Sequence, residues 1–139
     1  MTARRLVLWF GVVALVAAGS RWRAQADRGA RCALDGNRIE PVYRVDLVRR
    51  GVVLHSFCSL TCARQWPDVA PDAYWQVRDE ASGRPLDAGR AHFVESGVES
   101  VPARHERTHV FADWAEAQHH LARYGGRFVA DPLGPGGAR

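Results

Sequence analysis

The sequence predicts an α+β fold built of two small strand-strand-helix units behind an N-terminal apolar helix. Three observations carry this expectation. Val42–Val48 alternates in polarity and Val52–Phe57 is apolar, and the Arg49-Arg50-Gly51 turn between them makes the pair a hairpin. Helix starts follow at Ser59 and at Asp113, the second with an acid three residues on at Glu116. Each start is preceded by a strand end of the form His-x-Phe, as His55-Ser56-Phe57 and His109-Val110-Phe111, a weak internal echo that suggests two related units.

The chain has 139 residues, enough for one ordinary domain. Residues 1–26 read as a leader. Arg4 and Arg5 precede the uncharged apolar run Leu6–Gly19, and Ala24-Gln25-Ala26 has the small-x-small form of a cleavage site. The run is 14 residues long, short of the ~20 that comfortably span a bilayer. Arg21 and Arg23 between the run and the cleavage motif leave two readings open, a cleaved signal peptide and an uncleaved N-terminal membrane anchor; both imply export. The leader holds four of the 19 basic residues and none of the 15 acidic ones, so residues 27–139 carry 15 of each sign. The high isoelectric point therefore gives no argument for nucleic acid, and no basic patch with interleaved aromatics is present.

The remaining elements follow in order. Asp35-Gly36-Asn37 is a turn. Leu60–Trp66 suits a helix that Pro67 stops, and Tyr74–Arg78 and Ala91–Glu95 suit strands with a Ser82-Gly83 turn between them. Residues 97–107 have no period and read as a long loop. A helix then runs to Tyr124 with Trp114, Ala117, Leu121 and Tyr124 on one stripe; Gly125-Gly126 ends it, and Arg127–Ala130 is a last strand. Residues 27–130 form the predicted domain, and the Gly/Pro-rich 131–139 a disordered tail.

The three cysteines carry the chemistry. Cys58 and Cys62, four apart at a helix start, share one face about 6 Å apart along the axis, and the helix N-terminus favours their thiolate form. With Cys32 they offer three soft sulfurs, suited to copper(I); zinc is the alternative and asks for a fourth ligand, which a histidine would supply. His55 is either that ligand or a strand-face residue packed beside Phe57, and His109 occupies the parallel position in the second unit. Buried thiols or a Cys58–Cys62 disulfide with Cys32 left over are the competing structural reading. No paired-acid, Ser-His-Asp or phosphate-loop pattern is present, and the cysteine spacing is one longer than in thiol oxidoreductases, so the chain is read as a non-enzyme.

Cys32, a gap of 25 residues, and then Phe57-Cys58-Ser59-Leu60-Thr61-Cys62 resembles the TRASH-type heavy-metal motif, Cys followed by Phe-Cys-x-x-x-Cys. Downstream, Val77-x-Asp79, Ser82-Gly83, Ala91-His92-Phe93-Val94, Glu116-Ala117 and Gly125-Gly126-Arg127 follow the order seen in the nitrous oxide reductase accessory (NosL-like) family. The resemblance covers roughly residues 31–130. It implies a treble-clef-like, NosL-like fold related to that of the organomercurial lyases. It also implies an exported, periplasmic or periplasm-facing copper(I) metallochaperone that hands its ion to nitrous oxide reductase or another envelope cuproenzyme, with Cys32, Cys58 and Cys62 as metal residues. Departures are clear: there is no lipoprotein cysteine near residue 20, and the family's later Pro-Met-Gly is Pro102-Ala103-Arg104-His105 here. Met1 is the only methionine, which rules out a methionine-ligated site and makes His105 or His109 the candidate substitute. The alternative function is a small structural or interaction module held by zinc or a disulfide.

Overall fold

The computed structural model describes residues 30–134. The expected leader over 1–26 and the last five residues of the expected tail lie outside them. Among the described residues no helix is long and apolar enough to cross a membrane.

The first unit runs through β1 (Val45–Arg49), β2 (Val52–Phe57), α1 (Leu60–Arg64) and β3 (Ala73–Arg78). The second runs through β4 (Pro85–Asp87), β5 (His92–Ser96), β6 (Thr108–Phe111), α2 (Trp114–Tyr124) and β7 (Gly126–Val129). One sheet has the order β2-β1-β3-β4 and the other β6-β5-β7, with every pairing antiparallel. In both, the first long strand of the unit lies between the second and the one that follows the helix. The α+β class and the two units are as the sequence predicts.

The echo runs deeper than three residues. Each unit opens on a turn of the same hydrogen bonding. Cys32 N–H donates to Asn37 O (2.8 Å) and Gly36 N–H to Cys32 O (2.9 Å); 47 residues on, Asp79 N–H donates to Arg84 O (2.9 Å) and Gly83 N–H to Asp79 O (2.7 Å). Gly36 and Gly83 take φ +73° and +71°, a left-handed conformation that disfavours side chains, which explains a glycine at both places. Each turn then docks on its own hairpin, Ala33 N–H on Ser56 O (2.8 Å) and Glu80 N–H on Val110 O (2.9 Å). A 3-10 turn follows in each, Pro41–Tyr43 and Ala88–Arg90. From the second hairpin strand onward the offset becomes 54: His55 and Phe57 pack on Trp66, with ring centroids 4.6 and 5.3 Å away, and His109 and Phe111 pack on His120 at 4.3 and 5.3 Å. The difference in offset is the longer connection between β5 and β6.

Where the sulfurs sit in the first unit, the second has Asp79, Ala112 and Glu116. The Asp79 carboxylate accepts from Ala112 N–H (3.0 Å), Ser82 N–H (3.0 Å) and the Ser82 hydroxyl. Burial raises its pKa, but these donors outweigh burial and leave it below the usual aspartate range. The matching turn of the second unit is thus closed by hydrogen bonds where the first has sulfurs.

Some expectations are corrected. Residues 41–43 form a 3-10 turn, because Pro41 suits the first position of a turn and cannot donate to a sheet, so β1 begins at Val45. β1 is buried on both faces, not one: Asp46 (1% exposed) lies inside a network with Arg44 (2.8 Å), the Ser56 hydroxyl (2.6 Å) and Arg78 (3.2 Å). α1 stops at Arg64. On α2 the buried position is Ala117, packed with Val94 and Phe111, while Trp114 and Tyr124 are exposed; Trp114 stacks on Phe128 with centroids 3.9 Å apart. The loop over 97–107 is shaped by a 3-10 turn at Pro102–Arg104 and a bridge between Val101 and Glu106.

Phe57 is wholly buried between the edges of Trp66 and Trp75 (5.3 and 5.6 Å) and joins the sheet to the strand end that bears Cys58. Phe57→Ala should lower stability by about 3–5 kcal/mol in urea unfolding, and Phe57→Leu by much less.

Candidate metal centre

The site forms where the opening turn meets the β2–α1 junction. The turn is fixed by the two backbone bonds above, by Asn37 N–H to Asp35 Oδ1 (2.9 Å) and by Arg31 Nη1 to Gly36 O (3.1 Å). Ser59 caps α1 in extended backbone, its hydroxyl accepting from Cys62 N–H (3.1 Å). This cap turns the chain so that Cys58, just before it, and Cys62, in the first turn, face each other with sulfurs 3.6 Å apart. Docking of the turn on β2 adds Cys32 and Asp35. One ligand atom from each of Cys32, Asp35, Cys58 and Cys62 lies within 4.8 Å of every other.

All three cysteines are buried and free. Asp35 Oδ2 is 3.3 Å from Cys62 Sγ and 3.8 Å from Cys58 Sγ. Two thiolates on one ion at about 2.3 Å would be nearly 4 Å apart, so the 3.6 Å spacing fits a shared ion with little movement. The thiolate form is not favoured beforehand, contrary to what a helix start suggests. α1 is a single turn and burial dominates: it raises the Cys58 thiol and takes Cys62 up to about 12. Burial thus keeps the Cys58 and Cys62 thiols protonated at neutral pH until a metal displaces their protons.

Two residues of the second unit reach this junction. Arg104 forms an ion pair with Asp35 through Nη2 and Oδ2. Buried Glu106 accepts from Thr61 N–H (3.2 Å) at the start of α1, and burial raises its pKa. Sequence reasoning read Asp35 as a turn residue and Arg104 as part of a shapeless loop. A carboxylate three residues after Cys32 was the available signal for the first; nothing local announces the second.

The structure brings Cys32, Cys58 and Cys62 together and leaves the histidines out of that cluster. His55 lies on Trp66. His109 is 3% exposed, with Nδ1 2.8 and 3.0 Å from the Glu80 carboxylate oxygens and Nε2 3.1 Å from Val98 O. Both ring nitrogens face acceptors, an arrangement that suits the doubly protonated ring and sets His109 to pair with Glu80 and Val98 O. Burial opposes the charge, but the Glu80 hydrogen bond and charge outweigh it and raise the His109 pKa above the ordinary range. His105 is exposed beside Glu99 (3.0 Å), His92 meets Trp114, and His119 is exposed.

No family model and no curated protein sequence matches the chain. Among solved structures, the chain is similar to the crystal structure of the copper chaperone NosL from Shewanella denitrificans. The identity is 22%, the match covers 74% of this chain and 87% of that one, and the TM-score is 0.58. Fold and site together define a small α+β protein of the NosL architecture with a buried three-thiol, one-carboxylate cluster that suits a metal ion.

Because the His109 pKa is raised, its charge stabilises the fold fully below about pH 6.5, and that contribution fades as pH rises through the raised value. Glu80→Gln should lower the His109 pKa in an NMR titration of its ring, and should destabilise the protein more at pH 6 than at pH 9.

Proposed function

We propose that the protein binds one copper(I) ion as cargo through Cys32, Cys58 and Cys62 and passes it to a copper-handling partner in the cell envelope. The observation that carries this reading is the convergence of three free sulfurs from two separated segments onto one point. Soft thiolates suit a soft monovalent ion, and three of them satisfy it without a fourth ligand. Likeness to a protein described as a copper chaperone supports the same reading.

The chain's own residues account for uptake and release. Each thiol that binds gives its proton to solvent, so uptake is favoured by rising pH. Cys58 and Cys62 are buried at a strand-to-helix junction beside Asp35, and the Asp35 side is the one from which a recipient's ligands would approach. A partner thiol or imidazole entering there would replace one sulfur at a time. The apolar leader with its arginine flanks supports an exported, periplasm-facing location, tethered if the leader is retained. Nitrous oxide reductase is the recipient that the family resemblance suggests. No catalytic role is assigned.

The second reading is zinc held as a structural ion, favoured by one observation, the carboxylate of Asp35 as a fourth donor. Competition titration of the reduced protein with copper(I) and a chromogenic chelator separates the two. One tightly held copper(I) per chain is expected, with affinity climbing as pH rises. Cys58→Ser and Cys62→Ser should each abolish tight binding, and Cys32→Ser should weaken it. Binding no tighter than in a variant without cysteines, or stoichiometric zinc whose removal unfolds the protein, would replace the copper reading.

A further inference from the structure

We propose that Arg104 sets which metal the cluster accepts. By holding the Asp35 carboxylate in an ion pair, it keeps the site a three-sulfur site for a soft monovalent ion and denies a divalent ion its fourth ligand. This rests on the copper reading above and adds a selectivity device to it.

One oxygen, Asp35 Oδ2, serves both sides. It pairs with the Arg104 guanidinium, and it is the oxygen 3.3 Å from Cys62 Sγ and 3.8 Å from Cys58 Sγ. A carboxylate so shared has to choose. Left alone it completes a set of three sulfurs and one oxygen, a four-coordinate donor set that zinc prefers. Drawn to a guanidinium, it stays an outer partner of the sulfurs, which leaves three soft ligands.

Charge points the same way. Copper(I) with three thiolates carries two negative charges, and zinc(II) with the same three carries one. A neighbouring cation stabilises the more negative complex more, and both partners are partly sheltered, with side chains 30% and 20% exposed. Arg104 therefore favours copper(I) through both coordination and field.

The guanidinium is delivered by built structure. β1 and β2 are joined by Arg50 and Gly51, whereas β5 and β6 are joined by residues 97–107, and Arg104 lies on this extra length. The loop is clamped by Ser96 N–H to Arg107 O (3.0 Å), by Ser100 N–H to Glu106 O (2.8 Å), and by the Glu106 carboxylate on Thr61 N–H (3.2 Å). The last contact seats the loop on the helix that bears Cys62. His105 takes φ +51°, a conformation that non-glycine residues enter only when their surroundings hold them there. The second unit, which has no sulfurs of its own, thus supplies the selectivity residue of the first.

The test compares the wild type with Arg104→Ala, Arg104→Gln, Asp35→Asn and the double variant Arg104→Ala/Asp35→Asn. Copper(I) and zinc(II) affinities are read by chelator competition, and coordination by the visible spectrum of the cobalt(II) form. Asn at 35 keeps an acceptor for Asn37 N–H, and circular dichroism checks each fold. Both Arg104 variants should bind zinc about tenfold or more tightly than wild type and copper(I) more weakly, since outer partners commonly shift metal affinity on this scale. Their cobalt spectra should gain the intensity of a tetrahedral site, and the double variant should lose both gains. Unchanged zinc affinity in the Arg104 variants overturns the proposal, as does a zinc gain that survives in the double variant. Wild type that takes copper(I) through its cysteines while the Arg104 variants match it in both affinities overturns the role of Arg104 alone. Wild type that takes no copper(I) through its cysteines removes the copper reading and the role of Arg104 with it.

Discussion

The hydrogen bond from Ala33 N–H to Ser56 O, 2.8 Å long, holds the centre together. It seats the opening turn against the end of β2, and through that seat Cys32 meets Cys58 and Cys62 across 25 intervening residues. The sulfurs pull on one another only weakly, as neutral thiols do. The backbone must bring them together and then resist the repulsion of three thiolates once an ion is bound. Gly36 in its left-handed conformation, the Ser59 cap and the packing of Phe57 under the junction all serve that one placement.

Burial does two things at this site. It raises the pKa values of Cys58 and Cys62, the latter up to about 12, which disfavours their thiolate form. It also makes the ion a condition for charge: thiolates appear there together with a cation. A metal ion entering such a cluster would exchange for the thiol protons, and the carboxylate of Asp35 beside the sulfurs is the group through which the surroundings bear on that exchange.

The two units show one architecture put to two uses. The first keeps cysteines at the turn and at the helix start. The second closes the same turn with the Asp79 carboxylate on Ala112 N–H and Ser82, and replaces the aromatic under its histidine with His120. The second unit, without cysteines, carries the longer β5–β6 connection, and that connection reaches back to Asp35 and Thr61 of the first.

The sequence by itself determined the elements and the soft ligands. Alternation, the Ser59 and Asp113 caps and the Gly125 stop are local signals, and they placed β2, α1 and α2 to within a few residues. The cysteine spacing pointed to the sulfurs for the same reason, since residues four apart at a helix start share a face. The His-x-Phe echo showed two units but hid their extent, because the equivalence lies in backbone hydrogen bonds at Cys32 and Asp79 that side chains do not spell out. Tertiary structure alone decided the raised pKa values of Cys58 and Cys62 and the places of the histidines. Burial overrode the helix-start effect, and Glu80 with Val98 O consumed both nitrogens of His109. It alone joined Arg104 to Asp35, 69 residues apart in sequence, because an ion pair between segments depends on where two loops meet and leaves no periodic trace in either.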